Sequence, residues 1–201
     1  MEKRLILPGD EVANVPKRMD GCFIDSGKTY AAVVSMGQDE KVVPLKGKYL
    51  PIAGDYVVGV VSEERFSGFN IEINSPYEGQ LSARDVRDPL RVDDVVFVKI
   101  AFVDEVNGAT LTDPRRLTGG EMLEIEPTKV PRVIGRNMSM ATMIRDHSAT
   151  DIFIGKNGRI YLKGNDTTLA VEAILKICRE SHTSGLTDRI KQFLEKGGNK
   201  Q

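Results

Sequence analysis

Between residues 52 and 126 the sequence carries five short apolar runs, set apart by turn signals. They cover residues 56–63, 69–74, 79–82, 95–103 and 109–111. In the fourth, Val96, Val98 and Ile100 alternate with Phe97, Lys99 and Ala101, the period of two expected of a strand with one buried face. Ser67-Gly68, Asn74-Ser75-Pro76, Asp93-Asp94 and Asn107-Gly108 punctuate the runs. A longer link separates the third from the fourth. Five short antiparallel strands with that spacing outline a small Greek-key barrel.

The flanks obey other rules. Upstream, residues 28–36 and 41–45 are strand candidates, with Asp25-Ser26-Gly27 and Gly37-Gln38-Asp39 as turn chemistry. Pro44, Gly47 and Pro51 then interrupt regular structure ahead of the barrel. A β-rich piece spanning residues 1–51 is small for a core of its own and is expected to pack on its neighbour. Downstream the period changes. Residues 129–134 are a strand candidate. Met140, Met143, Ile144 and His147 then fall on one helical face, which makes His147 a partly buried packing residue. Residues 150–154 and 159–163 read as two strands around Gly155-Lys156-Asn157-Gly158. Asp166 or Thr167 caps a helix carrying Ala170, Ala173, Ile174 and Ile177 on one face. Leu186, Ile190, Phe193 and Leu194 mark a last helix, stopped by Gly197-Gly198. The expected fold is mainly β with a C-terminal α/β part, in three modules: residues 1–51, 52–126 and 127–201.

Charge supports that division. The net charge is −1, but it splits into +1 over residues 1–51, −8 over 52–126, +5 over 127–196 and +1 in the last five. A neutral average hides an acidic middle and a basic C-terminal third. No run reaches the roughly 18 apolar residues of a membrane helix. The opening MEKRLILPGDEV lacks the apolar stretch of a signal peptide, so the cytoplasm is the expected compartment. Cys22 and Cys178 lie too far apart in sequence for a disulfide framework or a paired-cysteine zinc site. His147 and His182 are isolated as well. There is no phosphate-binding loop, nucleophile elbow or metal-ligand spacing, so neither an enzyme nor a cofactor is expected.

Nucleic-acid chemistry does have candidates. Barrels of the OB type bind single strands by stacking bases on exposed aromatics while basic side chains reach phosphates. Arg65-Phe66-Ser67-Gly68-Phe69 holds two aromatics around a turn beside a cation. Arg84, Arg115 and Arg116 are further phosphate candidates. Fifteen acidic residues in the barrel oppose general RNA binding, so contact has to be local. In the third module, Gly135-Arg136-Asn137-Met138 is expected as a strand-to-helix turn, with Arg132, Arg136 and Asn137 suited to phosphate or ribose. It has the outline of the G-x-x-G clamp of KH domains, with Met138 in place of the last glycine. Gly155-Lys156-Asn157-Gly158 shares those letters but sits between strands. It reads as a structural hairpin through Gly155, Asn157 and Gly158.

The order of the modules resembles the archaeal exosome's RNA-binding cap subunits, ribosomal-RNA-processing proteins with an N-terminal β domain, an S-one-type OB domain and a KH domain. The likeness rests on Leu7-Pro8-Gly9-Asp10, on the link from Val43-Pro44-Leu45-Lys46-Gly47 to Gly54-Asp55, on Pro131-Arg132-Val133-Ile134-Gly135, and on Ile154-Gly155-Lys156-Asn157-Gly158-Arg159. It implies a non-catalytic subunit, three copies of which cap a phosphorolytic ring and feed it single-stranded RNA. Arg65, Phe66 and Phe69 would then face the pore. One departure is the third barrel strand, Gly79-Gln80-Leu81-Ser82, which lacks the histidine many S-one domains carry. The alternative is a free-standing OB–KH regulator or translation factor.

Overall fold

A computed structural model describes residues 4–17, 19, 21–38, 41–44, 47–181, 183 and 185–197. His182, Leu45, Lys46 and Gly198 lie outside the described residues. The first module forms two three-stranded antiparallel sheets. One orders β1 (Arg4–Ile6), β5 (Ser35–Gln38) and β6 (Lys41–Pro44); the other orders β2 (Glu11–Ala13), β4 (Lys28–Ala31) and β3 (Cys22–Asp25). The run expected over 28–36 is therefore two strands, because the chain leaves one sheet after Ala31 and joins the other at Ser35. Alternation along a sequence does not show which sheet a residue joins. Strands β1, β2 and β3 lay outside the expected set.

The middle module is a closed barrel of β7 (Tyr56–Arg65), β8 (Gly68–Glu72), β9 (Gly79–Ser82), β10 (Val95–Val103) and β11 (Ala109–Leu117). All pairs are antiparallel except β9 with β11. Val57, Val61, Ile71, Ile73, Val96, Val98, Ile100 and Leu111 have no solvent exposure and fill the interior. The alternation in β10 thus maps onto inside and outside. Tyr49, from the link before the barrel, closes one side of this core and donates its hydroxyl to Asp55 at 2.8 Å.

The last module begins earlier than its helical signals. Strand β12 (Glu121–Glu124) pairs with β14 (Arg159–Gly164), which pairs with β13 (Thr150–Ile154). Helices α1 (Val130–Ile134), α2 (Ser139–Ser148), α3 (Thr167–Glu180) and α4 (Leu186–Gly197) pack on this sheet and on one another. Up to α3 the order is β-α-α-β-β-α. The strand expected over 129–134 is helical instead. Pro127 opens a turn of 3₁₀ helix and Pro131 stands in the first turn of α1, where a missing N–H costs nothing. The β-branched residues there are buried by the helix rather than by a sheet. His147 is exposed, a second correction: the buried face of α2 is Met140, Ala141, Ile144 and Ser148, rotated by one residue. Ser148 belongs there because its hydroxyl donates to the Ile144 carbonyl at 2.8 Å. On α3, Asp166 is the cap, its carboxylate accepting from the Leu169 amide at 2.9 Å.

The barrel and the C-terminal module meet at the β13–β14 turn. Asn157 is fully buried. Its amide nitrogen donates to the carbonyls of Val58 at 2.7 Å and Ile73 at 2.9 Å, and its side-chain oxygen accepts from the Val58 N–H at 3.3 Å. Asn74 donates to the Asn157 carbonyl at 3.1 Å, and the Lys156 N–H to the Tyr56 carbonyl at 2.8 Å. A Cβ on Gly155 would stand 2.6 Å from the Val58 nitrogen, so only glycine lets the turn seat this closely. Beside it, Arg159, 9% exposed, links Glu72 of the barrel at 2.5 Å to Glu124 at 2.7 Å. The N-terminal sheets meet the barrel more openly, across a cleft of about 940 Å³ lined in part by Phe23, Ile24, Tyr77 and Phe102.

Replacing Asn157 by Ala leaves three buried backbone groups without partners. Denaturant unfolding is expected to show a loss of about 2–4 kcal/mol. Asn157→Asp should be no milder, because a carboxylate cannot donate to two carbonyls. Ala149, the cap after α2, holds left-handed angles (φ 48, ψ 42). Ala149→Gly is expected to raise stability by about 0.5–1 kcal/mol in the same assay.

Candidate nucleic-acid interface

The β7–β8 hairpin of the barrel ends in a two-residue turn, Phe66-Ser67, closed by the pair Arg65 and Gly68. The Ala83 N–H donates to the Ser67 carbonyl at 3.0 Å and ties the turn to the link after β9. That approach needs Gly68, since a Cβ there would stand 3.0 Å from the Ala83 nitrogen and run into the Leu81 carbonyl. The link itself makes one turn of 3₁₀ helix, Ala83–Asp85, capped by Ser82, which carries Arg84 into solvent. Arg65, Phe66 and Arg84 therefore come together at one end of the barrel. Phe66 is wholly exposed, at 108% of its reference area. An aromatic ring with no protein contact to bury it offers both faces to a stacking partner.

The other aromatic of the motif behaves differently. Phe69 is half-buried and packs against the barrel core, so it does not serve as an open platform. Its strand neighbour sets this: residues 66 and 69 stand on either side of the turn, one past the last pair and one inside the ladder opposite Glu64. Arg65 itself is exposed but paired with Glu63 at 2.8 Å. Arg116 pairs with Asp94 at 2.8 Å, and the Arg115 guanidinium lies 4.7 Å from the centre of the Phe153 ring. Both side chains remain accessible, though each is already engaged within the protein.

In the C-terminal module, Arg132, Arg136 and Asn137 are all exposed. The loop they frame joins two helices rather than a strand and a helix, in line with the correction to α1. Gly135, Asn137 and Met138 all have positive φ (73, 51 and 62), and Met138 is 61% exposed. The backbone thus makes its tight reversal with a side chain where a fourth-position glycine would leave the chain bare. Gly155, Asn157 and Gly158 are in the buried junction between modules, away from any open surface.

Sequence reasoning missed two groups. Arg159 carries no signal beyond its place at a strand start. Asn70, 3% exposed, donates to both Glu63 at 3.2 Å and Glu78 at 3.1 Å; only the folded hairpin brings those carboxylates together. Among the described residues no cluster of three His, Cys, Asp or Glu has the geometry for a metal ion, and no helix is long and apolar enough to cross a membrane. Burial pushes the Cys178 thiol up, against an opposing pull from Lys129, which marks it as a packing residue rather than a nucleophile.

No protein-family model matches the chain. It is 38% identical over 218 residues to the exosome complex component Rrp4 of Pyrococcus horikoshii, covering 96% of this chain and 82% of that one. The Rrp4 of Methanothermus fervidus is 37% identical over 212 residues, with 96% of both chains covered. That of Methanosarcina barkeri is 34% identical over 221 residues, covering all of this chain and 85% of its relative. The chain belongs to the Rrp4 family of exosome components. A crystal structure of a protein named for RNA binding in the exosome complex matches with a TM-score of 0.67 at 37% identity, over 75% of this chain and 97% of the other. The resemblance to an exosome subunit read from four motifs thus extends over nearly the whole chain in sequence and over three quarters of it in fold.

Phe66→Ala is expected to change the unfolding free energy by less than about 0.5 kcal/mol, because the ring buries nothing. Phe69→Ala should cost at least about 1.5 kcal/mol in the same titration.

Proposed function

We propose that this Rrp4-family chain is a non-catalytic cap subunit of an exosome. It receives single-stranded RNA and guides the 3′ end into a phosphorolytic ring for 3′-to-5′ degradation, with three copies per ring. The observation that carries the reading is the exposed Phe66 ring flanked by Arg65 and Arg84 on a tethered hairpin tip. A base stacks on the ring while the guanidinium groups meet flanking phosphates, chemistry that suits any sequence because every base has a π-face.

The surroundings define how strong that grip is. The barrel, residues 56–117, carries 7 Lys+Arg and 11 Asp+Glu, a net charge of −4, so repulsion weakens long-range capture. One tip holds RNA loosely, and several tips around one opening gain by effective concentration what each lacks. Arg132, Arg136 and Asn137 are a second, basic contact surface; Arg115 and Arg116 contribute secondary charge. The N-terminal sheets and the C-terminal module supply the surfaces that hold the ring, and the complex works in the cytoplasm. Relatives over nearly the whole chain are named as exosome components, which favours a fixed subunit over a free-standing regulator.

The double variant Arg65→Ala/Phe66→Ala is expected to weaken binding of single-stranded RNA by about tenfold or more, since stacking alone is worth about 1–3 kcal/mol per base. Co-purification with ring subunits should be unchanged. A loss below about twofold would assign the tip another role.

A further inference from the structure

The side chain beside the exposed ring is not idle. Residues 63 and 65 lie on the same face of β7, two apart, and Arg65 places both its Nε and one terminal nitrogen 2.8 Å from the Oε2 of Glu63. That edge of the guanidinium is the fork which meets a phosphate bidentately. The carboxylate is held in turn from below. Asn70 stands directly opposite Glu63 in the ladder and its buried amide donates to the same Oε2 at 3.2 Å. A register shift between Val61 and Glu63 turns the outer part of β7 so that this face meets Asn70. Glu63 is thus fixed by a buried donor, while Arg65, 51% exposed on its side chain, is the movable partner.

We infer that Glu63 is a built-in competitor for the RNA phosphate at Arg65. This rests on the reading of the hairpin tip as an RNA contact. A phosphate reaching Arg65 displaces the guanidinium from Glu63, whose carboxylate stays on the Asn70 amide, ready to take the arginine back. Each contact made at the tip therefore comes with a contact broken, which keeps the grip weak and allows a strand to slide past without a deep well at every phosphate. Salt acts on both sides of the exchange. It screens Arg65 from phosphate and also from Glu63, so the wild-type chain shows a shallower salt dependence than a free arginine would.

The test is a salt titration of the full chain by fluorescence anisotropy, with a labelled single-stranded oligoadenylate of about twelve nucleotides, long enough to span one such site. Glu63→Gln removes the competing charge and keeps a group that Asn70 can bond. It is expected to tighten binding about two- to fivefold at low salt, the scale of an exposed ion pair. It should also steepen the log–log salt slope by about 0.7, one further phosphate contact on a single strand. Glu64→Gln removes the same charge one residue away, on the other face of the strand, and should have a smaller effect on both. In an Arg65→Ala background the gain from Glu63→Gln should vanish. Equal or weaker binding by Glu63→Gln, an equal gain from Glu64→Gln, or a gain that survives without Arg65 would each overturn the inference. If the double variant Arg65→Ala/Phe66→Ala leaves RNA binding unchanged, the tip is not an RNA contact, and the reading beneath the inference falls with it; if only Arg65→Ala is without effect, the inference alone falls.

Discussion

One buried asparagine decides how two of the three modules sit together. The side chain of Asn157 replaces water for three backbone groups of the barrel, and each of its own polar atoms is satisfied in return. Nothing apolar does this. A buried amide that is fully bonded specifies one arrangement, because a small rotation leaves several groups unpaired at once. The apolar cluster of Val58, Leu117 and Tyr161 beside it adds area, and Arg159 between Glu72 and Glu124 adds charge pairing. The asparagine supplies the register. Through it the hairpin tip of the barrel and the basic C-terminal helices belong to one body.

The charge pattern takes on a physical meaning in that body. Two acidic side chains of the barrel module are partners for arginines rather than scattered surface charge: Glu63 for Arg65 at the tip, and Asp94 for Arg116 just ahead of β10. On the proposed reading, a cap built this way handles RNA without collecting it. A basic barrel would bind any nucleic acid it met, and binding too tightly would stall a strand that has to move on.

Much of the architecture was legible in the sequence because barrel strands alternate and helices repeat at their own period. The five barrel strands, the β13–β14 hairpin and the faces of α3 and α4 all carry strong local patterns. The errors have a common origin. Val130, Val133 and Ile134 are β-branched yet helical, since two prolines start helical turns that propensity does not weigh. Strand β12 has a weak pattern and exists because β14 offers it an edge. The run at 28–36 is cut by a change of sheet, which is a tertiary fact. At the tip, the pairing of aromatics around Ser67-Gly68 was visible, but which ring is free was not. Phe66 and Phe69 are equivalent letters, and only the closing pair of the ladder separates them. The buried amide of Asn70 left no trace in sequence, because a carboxylate in a strand looks the same whether or not something holds it.

The open cleft between the N-terminal sheets and the barrel contrasts with the closed junction on the other side. The barrel is thus joined to the C-terminal module by a seam locked with polar bonds, and to the N-terminal sheets by a seam that a cleft interrupts. Packing is thinner across the seam with the cleft, so the N-terminal sheets are expected to part from the barrel at a lower free energy than the C-terminal module does.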